Sequence, residues 1–129
     1  MFDNCRTTTD QGNIGEAAAI LYFTKLGGIV CKPLFINTDY DFVVDMNGVL
    51  NRVQCKTSQQ RNVVDTHYVV NLKNSGVNAR KHTYSPLSPK KVDIVFVLAE
   101  DGTCWSIPTT ELTAFSAMCL NERFDEFKV

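Results

Sequence analysis

An Asn47-Gly48 pair lies between two stretches of alternating residues, and it constrains the fold more than any other feature of this chain. Both residues tolerate a positive φ, which a type I′ turn demands at both central positions. The pair therefore predicts a hairpin with strands over about 40–46 and 49–57. With this loop Met46 faces Val49, Asp45 faces Leu50, Val43 faces Arg52 and Asp41 faces Gln54. A four-residue loop keeps that pairing, whereas a three-residue loop shifts it by one position and breaks it. Directly opposed residues share a face and successive side chains alternate, so Arg52, Gln54 and Lys56 belong with Asp41. Tyr40, Phe42 and Val44, with Val53 and Cys55, form the other face, which is apolar and predicted to enter the core.

An acid, an amide and a lysine thus converge on one sheet face. Asp41 and Gln54 offer oxygens to Mg²⁺, a hard cation that keeps several waters. Such an ion polarises a phosphodiester and helps generate hydroxide from bound water. Lys56 is placed to orient or deprotonate the attacking water, or to stabilise developing charge. Glu16 is a fourth candidate, because it shares a helical stripe with Ala19, Ile20 and Phe23, a setting that calls for a polar partner. Each residue also has a plainer reading. Gln54 suits a cross-strand pair with Asp41, Lys56 an edge charge that blocks aggregation, and Glu16 a capping box with Asn13.

Length and charge narrow the class. A chain of 129 residues fits one domain over 1–129 with a single hydrophobic core. Its apolar runs are too short to span a bilayer, and no charged-then-apolar leader opens it, so a cytoplasmic location is the expectation. Five cysteines, at 5, 31, 55, 104 and 119, show neither paired nor Cys-x-x-Cys spacing. That pattern argues against a disulfide framework and against zinc, and His67 and His82 likewise lack ligand spacing. Net charge is −1, yet between Arg52 and Lys91 there are eight Lys or Arg and one acid, Asp65. Such asymmetry makes a local positive surface, or else a set of solvated loops. Arg52, Arg61, Arg80, Lys81, His82, Lys90 and Lys91 are the candidates for contacts to DNA phosphates, with Tyr84 stacking or packing nearby.

Elsewhere the pattern predicts a helix over about 9–26, opened by a Thr8-x-x-Gln11 capping box, ended by Gly27-Gly28 and apolar nearly all round. Strands are predicted over 29–36, 67–72, 92–99 and 103–107, with a mobile polar excursion over 73–91 and a second helix over 108–120. The sum is an α/β arrangement around a mixed sheet.

Gly12-Asn-Ile-Gly-Glu16, Tyr40-Asp41-Phe-Val-Val and Val53-Gln54-Cys-Lys56-Thr-Ser58 together resemble the PD-(D/E)xK nuclease superfamily, and most closely its group I intron-encoded homing endonucleases. The resemblance continues through Val92-Asp93-Ile-Val-Phe-Val97 and Trp105-Ser-Ile-Pro108. It implies a restriction-endonuclease-like α-β-β-β-α-β core and a Mg²⁺-dependent endonuclease, with Mn²⁺ as a substitute, that leaves 5′-phosphate and 3′-hydroxyl ends. Glu16 would be its helix acid, Asp41 its strand acid and Lys56 its catalytic lysine, with Glu16, Asp41 and Gln54 as metal ligands. Gln54 departs from the usual Glu or Asp, as it does in the intron-encoded group, so one of two metal sites would be lost or would lean on substrate phosphates. Tyr40 stands where the motif has Pro.

A domain of this size covers little DNA, and cutting both strands calls for two active sites, so a homodimer or homotetramer on duplex DNA is expected. Phe115, Met118 and Leu120 are candidates for that interface or for the core. A Holliday-junction resolvase of the same superfamily and a non-catalytic DNA-binding domain are the alternatives.

Overall fold

The hairpin register holds in the computed structural model, which describes residues 1–35, 37–78 and 81–129, with backbone alone for 75–78 and 81–83. Strands β2 (Phe42–Met46) and β3 (Val49–Ser58) pair antiparallel, with Met46 opposite Val49 and Val43 opposite Arg52. Asn47 and Gly48 take φ of 54° and 87°, and the Gly48 N–H donates to Asp45 Oδ1 at 2.7 Å. A side chain other than Asn or Gly at position 48 would meet the steric cost of that left-handed backbone.

Around the hairpin a five-stranded mixed sheet forms in the order β1-β2-β3-β7-β8, adding β1 (Ile29–Cys31), β7 (Ile94–Ala99) and β8 (Cys104–Pro108). β7 runs parallel to β3, and the other neighbours are antiparallel. Helix α1 (Thr8–Lys25) covers one face, where Ala19 and Phe23 pack with Phe42, Val44, Val53 and Phe96. The other face packs Val95, Val97, Trp105 and Ile107 against Val70, Leu72, Met118, Leu120 and Phe124. Val70 and Met118 face each other across a small sheet of β4 (Val69–Asn71) and β9 (Ala117–Cys119). No helix among the described residues is long and apolar enough to cross a membrane.

Phe42 is fully buried, and its ring meets Phe23 edge-on with centroids 6.0 Å apart. Phe42→Ala is expected to cost about 3–5 kcal/mol, from lost transfer energy and the cavity left behind. A drop in denaturation midpoint at unchanged slope would report it.

Several expected elements differ in the structure. The capping box forms one residue early, where Thr7 Oγ1 accepts the Asp10 N–H and Asp10 Oδ2 accepts the Thr7 N–H, both at 3.1 Å. Gln11, the residue expected in that role, instead donates to Thr57 Oγ1 at 2.8 Å. The helix closes in a Schellman motif, with the Gly28 N–H on the Phe23 carbonyl and the Gly27 N–H on that of Thr24. It is buried along Gly15, Ala19 and Phe23 only, and Leu21 is exposed, because the helix touches one sheet face and nothing described covers its back.

The first strand stops at Cys31 instead of continuing to 36, since Pro33 offers no N–H to extend a ladder. The excursion over 73–91 holds an antiparallel pair, β5 (Asn74–Asn78) and β6 (Lys81–Ser85). Its polar residues carry no apolar alternation, so periodicity does not announce it. The expected second helix over 108–120 is absent. One 3₁₀ turn, Thr109–Glu111, gives way to extended backbone at Leu112. The carbonyls of Phe115 and Ser116 accept the N–H groups of Leu87 and Leu72, and β9 follows. Met118 and Leu120 are buried at period two and belong to the core, whereas Phe115 is 41% exposed.

Candidate active site

Asp41 lies one residue before β2, and its N–H still donates to the Val53 carbonyl at 2.8 Å. Its side chain turns onto β3, where Oδ2 accepts the Cys55 N–H at 2.6 Å and Gln54 Nε2 at 3.1 Å. The pairing of Asp41 with Gln54 that the register implies is therefore a direct hydrogen bond. Lys56, two residues further along β3, donates from Nζ to the Lys73 carbonyl at 2.9 Å.

Glu16 reaches the same place from α1. Gly15 makes the approach close: a Cβ there would lie 2.6 Å from Thr57 Cγ2, so a larger residue requires the Thr57 side chain or the helix to shift. Glu16, Asp41 and Lys56 then line one open cleft of ≈ 670 Å³, together with Cys55, Asn71 and Lys73. Gln54 is not part of that lining; it stands behind Asp41 with its amide turned to the carboxylate.

The polar partner that Glu16 needs is Lys32, whose Nζ is paired with Glu16 Oε1. Lys32 is a site residue that sequence reasoning missed. Its signal lay in register, because Cys31 pairs with Val43 and the next residue along must approach the Asp41 end of β2.

Burial and charge shift the two central groups in opposite directions. Burial raises the Asp41 carboxyl above the usual carboxylate value, and neighbouring Glu16 raises it further, against the Cys55 N–H, Lys56 and Lys32. Burial lowers the Lys56 ammonium, against the pull of Asp41. Opposed shifts in one cleft mark a site suited to acid–base work. Burial also pushes the Cys55 thiol up, which keeps it protonated and unreactive.

The expected phosphate contacts fall in several places. Arg52 is committed to Asp93, with Nε and Nη2 on its two carboxylate oxygens at 3.0 Å each, and Nη1 on the Lys90 carbonyl. This fork joins the start of β3 to the start of β7. Arg61 lies over the Tyr68 ring at 3.9 Å and donates to the Tyr68 hydroxyl and the Thr66 carbonyl, away from the cleft. Lys90 and Lys91 are exposed, and Lys91 stands 3.6 Å from Asp39, beside the segment entering Asp41. Arg80 and the side chains of Lys81 and His82 lie outside the described residues.

The cleft fits a hard divalent cation. Two carboxylates approach each other closely enough for one to raise the other's pKa, a strain that a shared cation relieves. Among the described residues nothing donates a hydrogen bond to Asp41 Oδ1, which leaves that oxygen for a ligand.

No curated protein matched the chain. Among solved structures, the chain is similar to a bacterial homing endonuclease, I-Ssp6803I, at 30% identity and a TM-score of 0.73, over 90% of this chain and 79% of that one. The restriction-endonuclease-like fold is shared between them. A model of the PD-(D/E)XK endonuclease family matches residues 6–123, and on that span, with Glu16, Asp41 and Lys56 gathered in one cleft, the chain belongs to this family.

Proposed function

We propose that this chain is one nuclease domain that hydrolyses phosphodiester bonds in duplex DNA at a defined site, with Mg²⁺, in the manner of a homing endonuclease. The observation that carries the reading is the meeting of Glu16, Asp41 and Lys56 in a single open cleft between α1 and β3. The structural neighbour, itself named a homing endonuclease, supports the choice of activity.

Asp41 and Glu16 would hold the metal, with Gln54 contributing its amide oxygen only after releasing Asp41. When bound, the ion supplies Lewis acidity toward the phosphate and acidifies water. Lys56 is held by the Lys73 carbonyl at the cleft wall, where burial favours its neutral form. In that form it accepts a proton from the attacking water; as the cation it steadies charge on the phosphate. Lys32 balances Glu16, and Lys73, Lys90 and Lys91 supply exposed cations for the DNA backbone. A homodimer or homotetramer provides the two sites that double-strand cutting needs.

The test is to incubate the pure protein with plasmid, linear duplex and cruciform DNA, each containing its natural target, with and without Mg²⁺. Site-specific cleavage of linear duplex that requires the metal is the expected result. Cleavage confined to the cruciform would replace this reading with a junction resolvase. Metal-independent binding without any cleavage would replace it with a DNA-binding domain.

A further inference from the structure

Spacing along the chain gives no reason to look for a metal among the cysteines and histidines. Among the described residues the fold nevertheless gathers one set of mixed donors, none of which lines the cleft. Residues 59–67 form a loop held against β9 and the segment after it. The Asn62 N–H donates to the His67 carbonyl at 2.9 Å, and the Leu120 N–H to that of Tyr68 at 2.8 Å. In this loop Thr66 has φ +60°, a left-handed backbone that β-branched residues rarely adopt. That turn brings Asp65 and His67 together, with His67 Nδ1 3.0 Å from Asp65 Oδ2. Cys119 arrives from β9, and the ligand atoms of Asp65, His67 and Cys119 lie within 4.8 Å of one another.

Three details point these atoms at a common centre. His67 Nδ1 is buried and, despite the short approach, has no aligned hydrogen-bond partner. The other ring nitrogen, Nε2, faces Glu122 Oε1 at 3.2 Å. Asn62 Nδ2 donates to Cys119 Sγ at 3.1 Å.

We propose that Asp65, His67 and Cys119 bind a single zinc-type transition-metal ion through an Asp65 oxygen, His67 Nδ1 and Cys119 Sγ. The donor set of oxygen, nitrogen and sulfur suits a borderline-soft ion and does not suit Mg²⁺. Zinc–ligand bonds of about 2.0–2.3 Å require a modest closure of the present spacing. Glu122 supplies the outer carboxylate that sets the histidine tautomer, and Asn62 steadies the thiolate. Water completes the coordination. The ion's two positive charges match one carboxylate and one thiolate. Of the two cations lining the adjoining pocket, Arg61 is engaged by Tyr68 and, at 3.6 Å, by Asp101, and Lys128 by Asp125 at 3.0 Å. The adjoining pocket, ≈ 290 Å³, is lined by Asp65, His67 and Glu122 but not by Cys119, and it shares no lining residue with the cleft of Glu16, Asp41 and Lys56. The bound ion would therefore clip the 59–67 loop to the C-terminal segment without entering the reaction, and the proposal is independent of the nuclease reading.

The experiment strips the full chain of metal with a chelator and titrates it with Co²⁺, a visible stand-in for Zn²⁺. The expected result is saturable binding with a thiolate-to-cobalt charge-transfer band, displaced by Zn²⁺, and a rise of several degrees in Tm with Zn²⁺. Cys119→Ser and His67→Ala lose both signals, whereas Cys31→Ser and the cleft variant Asp41→Asn keep the band. Absence of the band in wild-type protein that is folded by circular dichroism overturns the proposal, as does an unchanged band in Cys119→Ser. The wild-type titration decides the matter even if a variant fails to fold.

Discussion

Lys56→Ala is expected to slow DNA cleavage by about 10²- to 10⁴-fold, the usual worth of a positioned proton-transfer group. Binding of the target should change little by comparison. The Lys56 amine has one described protein partner, the Lys73 carbonyl, so the side chain is held in place without being tied up by an acid. Its main chain is secured separately, because Lys56 lies opposite Val97 in the parallel β3–β7 ladder. The variant should therefore stay folded. Burial lowers the lysine's pKa, so its neutral form becomes available at lower pH than for an ordinary lysine. If neutral Lys56 is the base, the wild-type rate rises with pH and levels off above that lowered value. Lys56→Ala would lack the rise. Single-turnover rates on the natural target across pH give both readings, and a variant as fast as wild type at every pH would remove Lys56 from the chemistry.

Much of this site was legible because a tight turn sets register. Asn47-Gly48 admits few loop geometries, and the period of two then carries the pairing out to Phe42 and Val53 without further information. The approach of Asp41 to Gln54 follows from it. What stayed hidden depends on how separate elements meet. Lys32 is an ordinary surface lysine until β1 is seen to pair with β2. Arg52 reads as a free cation on an active face, and only the parallel docking of β7 reveals Asp93 as its partner. His67 and Cys119 stand 52 positions apart, and the β4–β9 pairing that joins them runs through a segment whose composition suits a helix. There tertiary hydrogen bonds to Phe115 and Ser116 override local preference.

Asp41→Asn is expected to slow cleavage severely and to stabilise the metal-free protein at neutral pH. The loss should be about 10²- to 10⁴-fold, since a bound metal contributes several kcal/mol to the transition state and each 1.36 kcal/mol is tenfold. The stability gain follows from the raised Asp41 pKa. An acid whose pKa is higher in the folded state binds more protons there than in the unfolded chain, over the window between the two values. Stability therefore falls as pH rises through that window, and above it the folded protein carries a constant penalty. Asparagine carries none, and its amide oxygen can still accept the Cys55 N–H that Asp41 accepts at 2.6 Å. The advantage of Asp41→Asn should thus be present at neutral pH and vanish below the ordinary carboxylate range. Mg²⁺ should reverse it, because an ion that binds only the folded wild type stabilises that form by mass action. Thermal unfolding of both proteins, at acidic and neutral pH and with and without Mg²⁺, tests each part. A wild type indifferent to Mg²⁺, paired with a variant that cleaves at full rate, would sink the assignment of Asp41 to the metal. A less stable variant at neutral pH would instead show that the carboxylate's contacts outweigh the cost of burying its charge.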